Sequence, residues 1–509
     1  MNLGKGGDAS GRGRFAAASL AVLSLFISCS QKPPQELTIV WSSDILSADP
    51  NEKFETATDT YSMNVFEPLL RYDRQMSFVP VLATRWDIPD GKTWRFHLRS
   101  GVTFHDGTPF SADDVVFSLD RVRQQKKSDL APYLSVISSV RKVDQQTVEI
   151  ISDRPAGLLS VLSFVYMLPK KAVESRGAAF FEKPLGTGPY RFGEWKPGVH
   201  VKLDAFETYW GGAAPVKRVT FLHTEREKEW EVAKERAPAI LLTPSRTTWN
   251  AHKNDGGFRA VTRPGMSVQY LALNLRGGKE NPLADPRVRT ALRAAVDVRS
   301  LIEKSAQGQA FPASQYVTPD IIGYDPTLAV PEFQPGVARR LLAEAGHPQG
   351  LDLKMVATEG PSTLADALVA QLAEAGVRVK KESVSDAGAF YDKLGRCDGD
   401  LFLTGWICST GDASELFEGN FYGRGSHATS FTACGYSNPE LDDMIDRIAK
   451  TLDPEIRRNL LQQAMRKVVS DLPWIPLWVT YDRYGMTLDV AWEPRPDNEI
   501  YLADVRLRK

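Results

Sequence analysis

The chain has 509 residues, which is too long for one ordinary hydrophobic core and predicts two or three domains. A hydrophobic fraction of 42% and a charged fraction of 25% are typical of a globular protein. The formal net charge of -1 excludes the strongly basic balance of a nucleic-acid-binding protein, so no nucleic acid is expected as a partner.

The N-terminus has the pattern of an export signal. Basic residues precede an apolar run over 15–27, which is too short to span a bilayer as a mature helix. The run leads into Cys29 in a sequence that resembles a bacterial lipoprotein cleavage site. We predict a signal peptide over 1–28, lipid modification of Cys29 and a tether over 29–35. Several acyl chains would hold the protein at a membrane where one would not. The alternative is an ordinary cleaved signal peptide with an incidental cysteine.

The stretch 82–122 has a distinctive pattern of turns and periodicity. Trp94 and Phe96 alternate with charged residues after an Asp-Gly turn, which predicts a half-buried strand. Ser111, with Asp114 three residues later, predicts the capped start of a helix. Nothing in this strand, turn and helix indicates catalysis.

The residue pattern of this stretch resembles the signature of the extracytoplasmic solute-binding proteins of peptide-type ABC importers, the family-5 dipeptide and oligopeptide group. Further blocks around 184–212, 285–304 and 401–414 follow the family order, so the resemblance covers about 37–487. It implies a bilobal α/β fold of the periplasmic-binding-protein type (type II, the large cluster C form) with an extra inserted subdomain. It also implies a function: the capture of a small solute, by default a di- or oligopeptide, and its delivery to a membrane permease with its own ATPase.

We predict a division of the mature chain into three parts. Lobe I is discontinuous and consists of 36–65, 183–265 and 481–509. The inserted subdomain is 66–182, and lobe II, expected to bind the ligand, is 266–480. Ligand bound between the lobes would favour a closed state about a hinge. A monomer outside the cytoplasm, in the periplasm or at the cell surface and anchored to a membrane, is expected.

Catalytic and metal signatures are absent from the sequence. The seven histidines are scattered, with no His-Glu-x-x-His, no Cys-x-x-Cys and no Gly-x-Ser-x-Gly motif. We therefore predict a binding protein without a metal or cofactor. Two alternatives from other classes stay open: an enzyme on a borrowed binding fold, and a ligand-sensing or surface-adhesion lipoprotein without a transporter.

The candidate binding loop follows an apolar run and contains Trp406, Ser409, Thr410 and Asp412. An indole supplies a flat apolar wall and a nearby carboxylate supplies a fixed polar group, as small-ligand sites require. The alternatives are a core aromatic for Trp406 and a loop cap for Asp412.

The resemblance gives this loop a specific expectation. In peptide-binding relatives an acid three residues after the tryptophan pairs with the α-amino group of the peptide, and this chain has Ser409 there. Burying an ammonium without a carboxylate is costly. Either Asp412 takes over that role and peptides bind, or the ligand is neutral or anionic, such as a glycan, a polyol or a blocked or cyclic peptide.

Two further predictions concern other loops. The resemblance places Ser43 and Asp44, after the first strand, near the cleft, with a capping loop as the alternative. Outside the cytosol two cysteines can pair, and we predict Cys408–Cys434 with Cys397 free, because that pair flanks a Gly- and Ser-rich excursion. The alternative is three buried thiols.

Overall fold

The fold is described from a computed structural model. The described residues are 36–154, 156–358, 363–424, 434–451 and 453–508. The predicted signal peptide, Cys29 and the tether lie outside them. No helix of the described residues is long and apolar enough to cross a membrane.

The described chain contains both strands and helices in each of its parts. The segment 36–182 contains β1 (Glu36–Trp41), α1 (Thr56–Val65), β2 (Leu70–Tyr72), β3 (Phe78–Pro80), β4 (Ala83–Asp87), β5 (Thr93–Leu98), α2 (Ala112–Gln124), β6 (Ile137–Asp144), β7 (Thr147–Ser152), α3 (Leu158–Leu162) and α4 (Lys170–Arg176). The segment 183–273 contains β8 (Tyr190–Lys196), β9 (His200–Ala205), β10 (Arg218–His223), α5 (Glu229–Glu235), β11 (Ala239–Leu242), α6 (Arg246–His252) and β12 (Phe258–Leu273).

The remainder contains more helix than strand. It contains α7 (Pro286–Ala294), α8 (Val298–Ala306), β13 (Ala310–Pro312), α9 (Pro335–Glu344), β14 (Leu351–Thr358), α10 (Thr363–Glu374), β15 (Val377–Val384), α11 (Ala387–Arg396), β16 (Leu401–Ile407), α12 (Ser414–Asn420), α13 (Pro439–Lys450), α14 (Pro454–Asp471), β17 (Trp474–Thr487), β18 (Val490–Ala491) and β19 (Arg506–Leu507). Short 3₁₀ turns occur at Ala131–Leu134, Gly177–Glu182, Gly278–Glu280, Pro282–Ala284 and Leu502–Asp504.

A large mixed sheet joins the two lobes. Its strand order is β15-β14-β16-β12-β17-β11-β1-β10-β9-β8, and β13 also pairs with β17. The long strands β12 and β17 pair along most of their length, with a register shift between Pro264 and Val268. At that shift, a methyl group added to Gly265 would lie only 2.9 Å from the carbonyl oxygen of Thr480. The two strands therefore pass from one lobe to the other as a closely packed pair.

The inserted subdomain has its own sheet and core. Its strands are ordered β4-β5-β7-β6, all antiparallel. The predicted strand and helix of 82–122 are confirmed as β5 and α2, and the backbone N–H of Ser111 donates to Asp114 Oδ2 at 2.9 Å. The core of this sheet includes the buried Trp94 and Phe96.

The predicted disulfide is wrong. The structure pairs Cys397 with Cys434, and Cys408 is a buried free thiol. The reason is the position of β16: Cys397 lies before its first residue and Cys408 after its last. A strand of 7 residues separates positions by roughly 20 Å at about 3.3 Å per residue, so these two cysteines lie at opposite ends of β16. The backbone N–H of Leu275, just beyond the end of β12, bonds the carbonyl oxygen of Cys434, which places Cys434 at the Cys397 end.

Candidate ligand-binding site

A cavity of about 430 Å³ lies between the inserted subdomain and lobe II. The wall on the subdomain side consists of residues that come after α2 and after β7 in the chain. The wall on the lobe II side consists of residues from the end of β16 to just beyond α12. The lining residues are Asp129, Pro132, Tyr133, Ser135, Val136, Arg154, Ala156, Gly157, Leu158, Ser160, Val161, Trp406, Thr410, Ser414, Glu415, Glu418, Gly419, Asn420 and Tyr422. This size and mixed lining suit a small organic solute.

Trp406, a predicted binding residue, lines the lobe II wall of this cavity. It lies near the end of β16, where it pairs with Val268 of β12, and its side chain is partly exposed in the cavity. Its indole N–H is buried and has no hydrogen-bond partner among the described residues. A donor of this kind is normally satisfied, so this one is available to an acceptor on a bound molecule.

Thr410 also lines the cavity, but its polar groups are already used. Its backbone N–H and its hydroxyl each donate to Glu415 Oε2 at 2.8 Å. Burial raises the pKa of Glu415 to about 7, although both donors act to lower it. Ser409 lies in the turn beside Thr410 and does not contribute to the lining.

Asp412 is buried and its carboxylate is occupied within lobe II. Its Oδ2 accepts from Arg457 Nε at 2.9 Å, and its Oδ1 accepts from the backbone N–H of Ser414 at 2.8 Å. Arg457 also donates to Ser414 Oγ at 3.0 Å and to the carbonyl oxygen of Ile448 at 2.7 Å. These contacts match the loop-cap alternative, and they leave Asp412 poorly placed to meet an ammonium group.

Two charged cavity residues were missed by the sequence reasoning. Arg154 follows β7 in a turn, and its guanidinium carbon lies 5.8 Å from the ring centroid of Tyr422. Glu418 is on α12, three residues after Glu415 and so on the same helix face. The spacing of the two glutamates was a usable signal for the acid, but nothing in the sequence marked Arg154.

Ser43 and Asp44 do not join this site. Ser43 lines a separate pocket of about 280 Å³ near the ends of β1 and β11. Asp44 accepts from the backbone N–H groups of Ile45, at 2.9 Å, and of Gly198. Its contacts are those of the capping loop that was the alternative interpretation.

Comparison with known proteins identifies the family. The model of the bacterial extracellular solute-binding proteins, family 5 (middle region), matches residues 77–428. The chain belongs to this family. Proteins of family 5 bind a small ligand and work with the permease and ATPase subunits of an ABC transporter.

The relatives of this family-5 protein match over nearly its whole length. The glutathione-binding protein GsiB of Pectobacterium atrosepticum is 29% identical over 474 residues, covering 87% of this chain and 88% of that protein. The structure of HbpA2 from Haemophilus parasuis gives a TM-score of 0.83 at 24% identity, covering 93% of this chain and 100% of that one. The structure of DppA of Helicobacter pylori in complex with the peptide STSA gives a TM-score of 0.72 at 23% identity, covering 94% of this chain and 99% of that one. The predicted bilobal periplasmic-binding-protein fold is therefore confirmed, and these relatives are binding proteins rather than enzymes.

Proposed function

We propose that this family-5 protein captures a peptide-class solute in the cavity between the inserted subdomain and lobe II and delivers it to an ABC permease. The observation that carries the proposal is the cavity itself, with the unpartnered indole N–H of Trp406 in its wall. The names of two relatives, one binding glutathione and one crystallised with a peptide, support the ligand class.

Capture would use a hinge at β12 and β17. Hydrogen bonds join the inserted subdomain to lobe I. The side-chain amide of Asn51 in lobe I donates to the carbonyl oxygen of Tyr166 in the subdomain. The subdomain's Glu67 accepts from Tyr209 at 2.6 Å and from Trp210 at 2.8 Å, both in lobe I. The two cavity walls already touch in this structure, where a methyl group on Gly157 would lie 3.6 Å from Arg457 Nη2. A ligand that contacts both walls stabilises the closed state.

The protein would act as a membrane-anchored monomer outside the cytoplasm. The signal pattern and Cys29 support this placement. Replacing Cys29 with Ala should release the protein from membranes or leave it unprocessed. Wild-type protein found wholly in the soluble extracytoplasmic fraction, with an N-terminus beyond residue 29, would contradict the anchor.

The binding proposal is tested by native mass spectrometry of purified protein and by calorimetry with Trp406→Ala. We expect a co-purified solute, and a loss of affinity of about tenfold or more in the variant, because the aromatic wall and its donor are removed. Ile407→Ala is the matched control, since Ile407 is the next residue of β16 and 55% exposed. Equal affinity in both variants would place the ligand elsewhere.

A further inference from the structure

We propose that the cavity selects zwitterionic solutes, with Arg154 receiving a ligand carboxylate and Glu418 receiving a ligand ammonium group. This inference rests on the proposed function and deepens it, because it names the charges that the bound molecule carries.

Arg154 forms no direct ion pair in the described parts of the chain, where no carboxylate lies within 4.0 Å of its guanidinium nitrogens. Its guanidinium lies over the face of Tyr422, and its charge acts at longer range on the carboxyl of Glu418. A guanidinium has five N–H donors in a planar fork that matches a carboxylate. In a partly enclosed cavity this group is therefore ready to bind a ligand carboxylate.

Glu418 is the matching anion on the other wall. Its Oε1 faces the subdomain wall, since a methyl group on Gly157 would lie 3.8 Å from it. No hydrogen bond or ion pair to Glu418 is found among the described residues. Burial raises the pKa of this carboxyl, and the charges of Arg154 and Arg457 partly offset that rise. A ligand ammonium in the cavity would favour the ionised carboxylate in the same way.

The other acids near the cavity are already engaged. Asp412 pairs with Arg457 at 2.9 Å, and Glu415 accepts from Thr410 at 2.8 Å. Asp129, which also lines the cavity, pairs with Lys53 at 3.3 Å. Glu418 is therefore the acid best placed to meet an ammonium group.

The experiment uses calorimetry with wild-type protein and matched peptides. Trialanine and glutathione are each tested with free ends, with the amino group acetylated, and with a carboxylate converted to the amide. We expect at least one free series to bind, and blocking either end to weaken it by about tenfold or more. Glu418→Gln should abolish the preference for the free amine and Arg154→Gln the preference for the free carboxylate. The conservative variants Glu418→Asp and Arg154→Lys should restore part of each preference.

Two outcomes would overturn the inference. One is equal binding of free and blocked peptides, and the other is no binding of any peptide with free ends. Neither decides the proposed function, which is judged by whether Trp406→Ala strips the co-purified solute from the cavity. If the co-purified solute is neutral and is lost in that variant, the cavity is the binding site but its ligand is not a zwitterion.

Discussion

Two sets of charges differ in how they are compensated. Behind the lobe II wall, Asp412 and Arg457 have side-chain exposures of 1% and 14%, and each has several hydrogen-bond partners. On the two facing walls of the cavity, Arg154 of the inserted subdomain and Glu418 of lobe II lack hydrogen-bond partners among the described residues. Burial of charge is tolerated only with compensation, so removing one partner of the first set should destabilise the fold, whereas the second set is the one proposed to bind the ligand. Asp412, the acid that the sequence offered as a binding residue, has the contacts of a structural residue.

The contrast between the two sets of charges is tested most directly by replacing one arginine of each set with methionine. Arg457→Met leaves the Asp412 carboxylate buried without its cation, and we expect a loss of about 3–5 kcal/mol in the free energy of unfolding. Arg154→Met should cost less than about 1 kcal/mol, because no ion pair is lost. Urea denaturation of both variants measures the difference.

A neighbour of Arg457 supplies the control. Arg458 on the same helix is 48% exposed and pairs with Glu455, which is 76% exposed, at 2.7 Å. Arg458→Met should change stability by no more than about 0.5 kcal/mol. Similar losses for Arg457→Met and Arg458→Met would show that the Asp412 pair is not a structural core element.

The disulfide sharpens the comparison, because it encloses the whole lobe II wall. Cys397 and Cys434 are 37 positions apart, and Trp406, Glu418 and the Asp412 loop lie between them. The chain-entropy model assigns a loop of this length about 4 kcal/mol. Replacing both cysteines with Ser should lower the free energy of unfolding by up to that amount and leave the preference for free peptide ends unchanged.

Peptide mapping under non-reducing conditions checks the pairing first. We expect a Cys397–Cys434 peptide and an alkylatable Cys408 after denaturation. The Cys408→Ala control keeps the disulfide and should cost less, since the Cys408 thiol donates one weak hydrogen bond, to the carbonyl oxygen of Asp412 at 3.3 Å. A disulfide-linked Cys408 would contradict the Cys397–Cys434 pairing.

The sequence was informative about elements and less so about side-chain partners. The alternation at Trp94 and Phe96 and the Ser111 cap are local patterns, so they predicted β5 and α2 correctly. The loop with Trp406 was also located from local pattern and family resemblance. Sequence position alone, however, does not show which cation lies beside a given acid. Arg457 is 45 positions from Asp412, and that distance concealed the pair.

The same limit explains the other errors. Arg154 comes to the cavity from the inserted subdomain, so its role depends on how the lobes meet. The cysteine pairing depended on which end of β16 each thiol occupies, and spacing along the chain does not give that. The domain boundaries, including 265/266 and 480/481, stay predictions; the register shift of β12 near Pro264 is compatible with the first of them.

A third group of buried acids extends the comparison to pH. Burial raises the pKa of Asp59 to about 7 from an ordinary value of 3.8, although the Tyr166 hydroxyl donates to it at 2.7 Å. Burial and the neighbouring Asp59 raise the pKa of Glu499 as well. Because the folded state holds these protons more tightly than the unfolded state, their contribution to stability is lost as pH rises from about 4 through about 7.

The variant Asp59→Asn isolates this effect. The stability of the wild type relative to Asp59→Asn should fall with rising pH, by up to about 1.4 kcal/mol per pH unit within that window. Urea denaturation from pH 4.5 to pH 8 measures the slope. Taking the difference removes contributions shared by both proteins, such as the buried His105, whose pKa is lowered to about 4 by burial. A constant difference across this range would show that Asp59 ionises normally.

The smallest expected effect concerns Gly411, where the inserted subdomain meets the lobe II loop. Gly411 has φ of +69°, and a methyl group added there would clash with the terminal methyl of Met76 and lie 3.6 Å from the Tyr72 ring. Gly411→Ala should cost about 1–2 kcal/mol of backbone strain, and the clash should additionally hinder approach of the two walls. Gly107→Ala is the control, because Gly107 has φ of +85° with nothing within 4 Å of the added methyl. Both variants should lose similar stability, whereas only Gly411→Ala should also weaken solute binding in calorimetry, by severalfold. Equal binding in the two would mean that contact between Met76 and the loop has no part in closure.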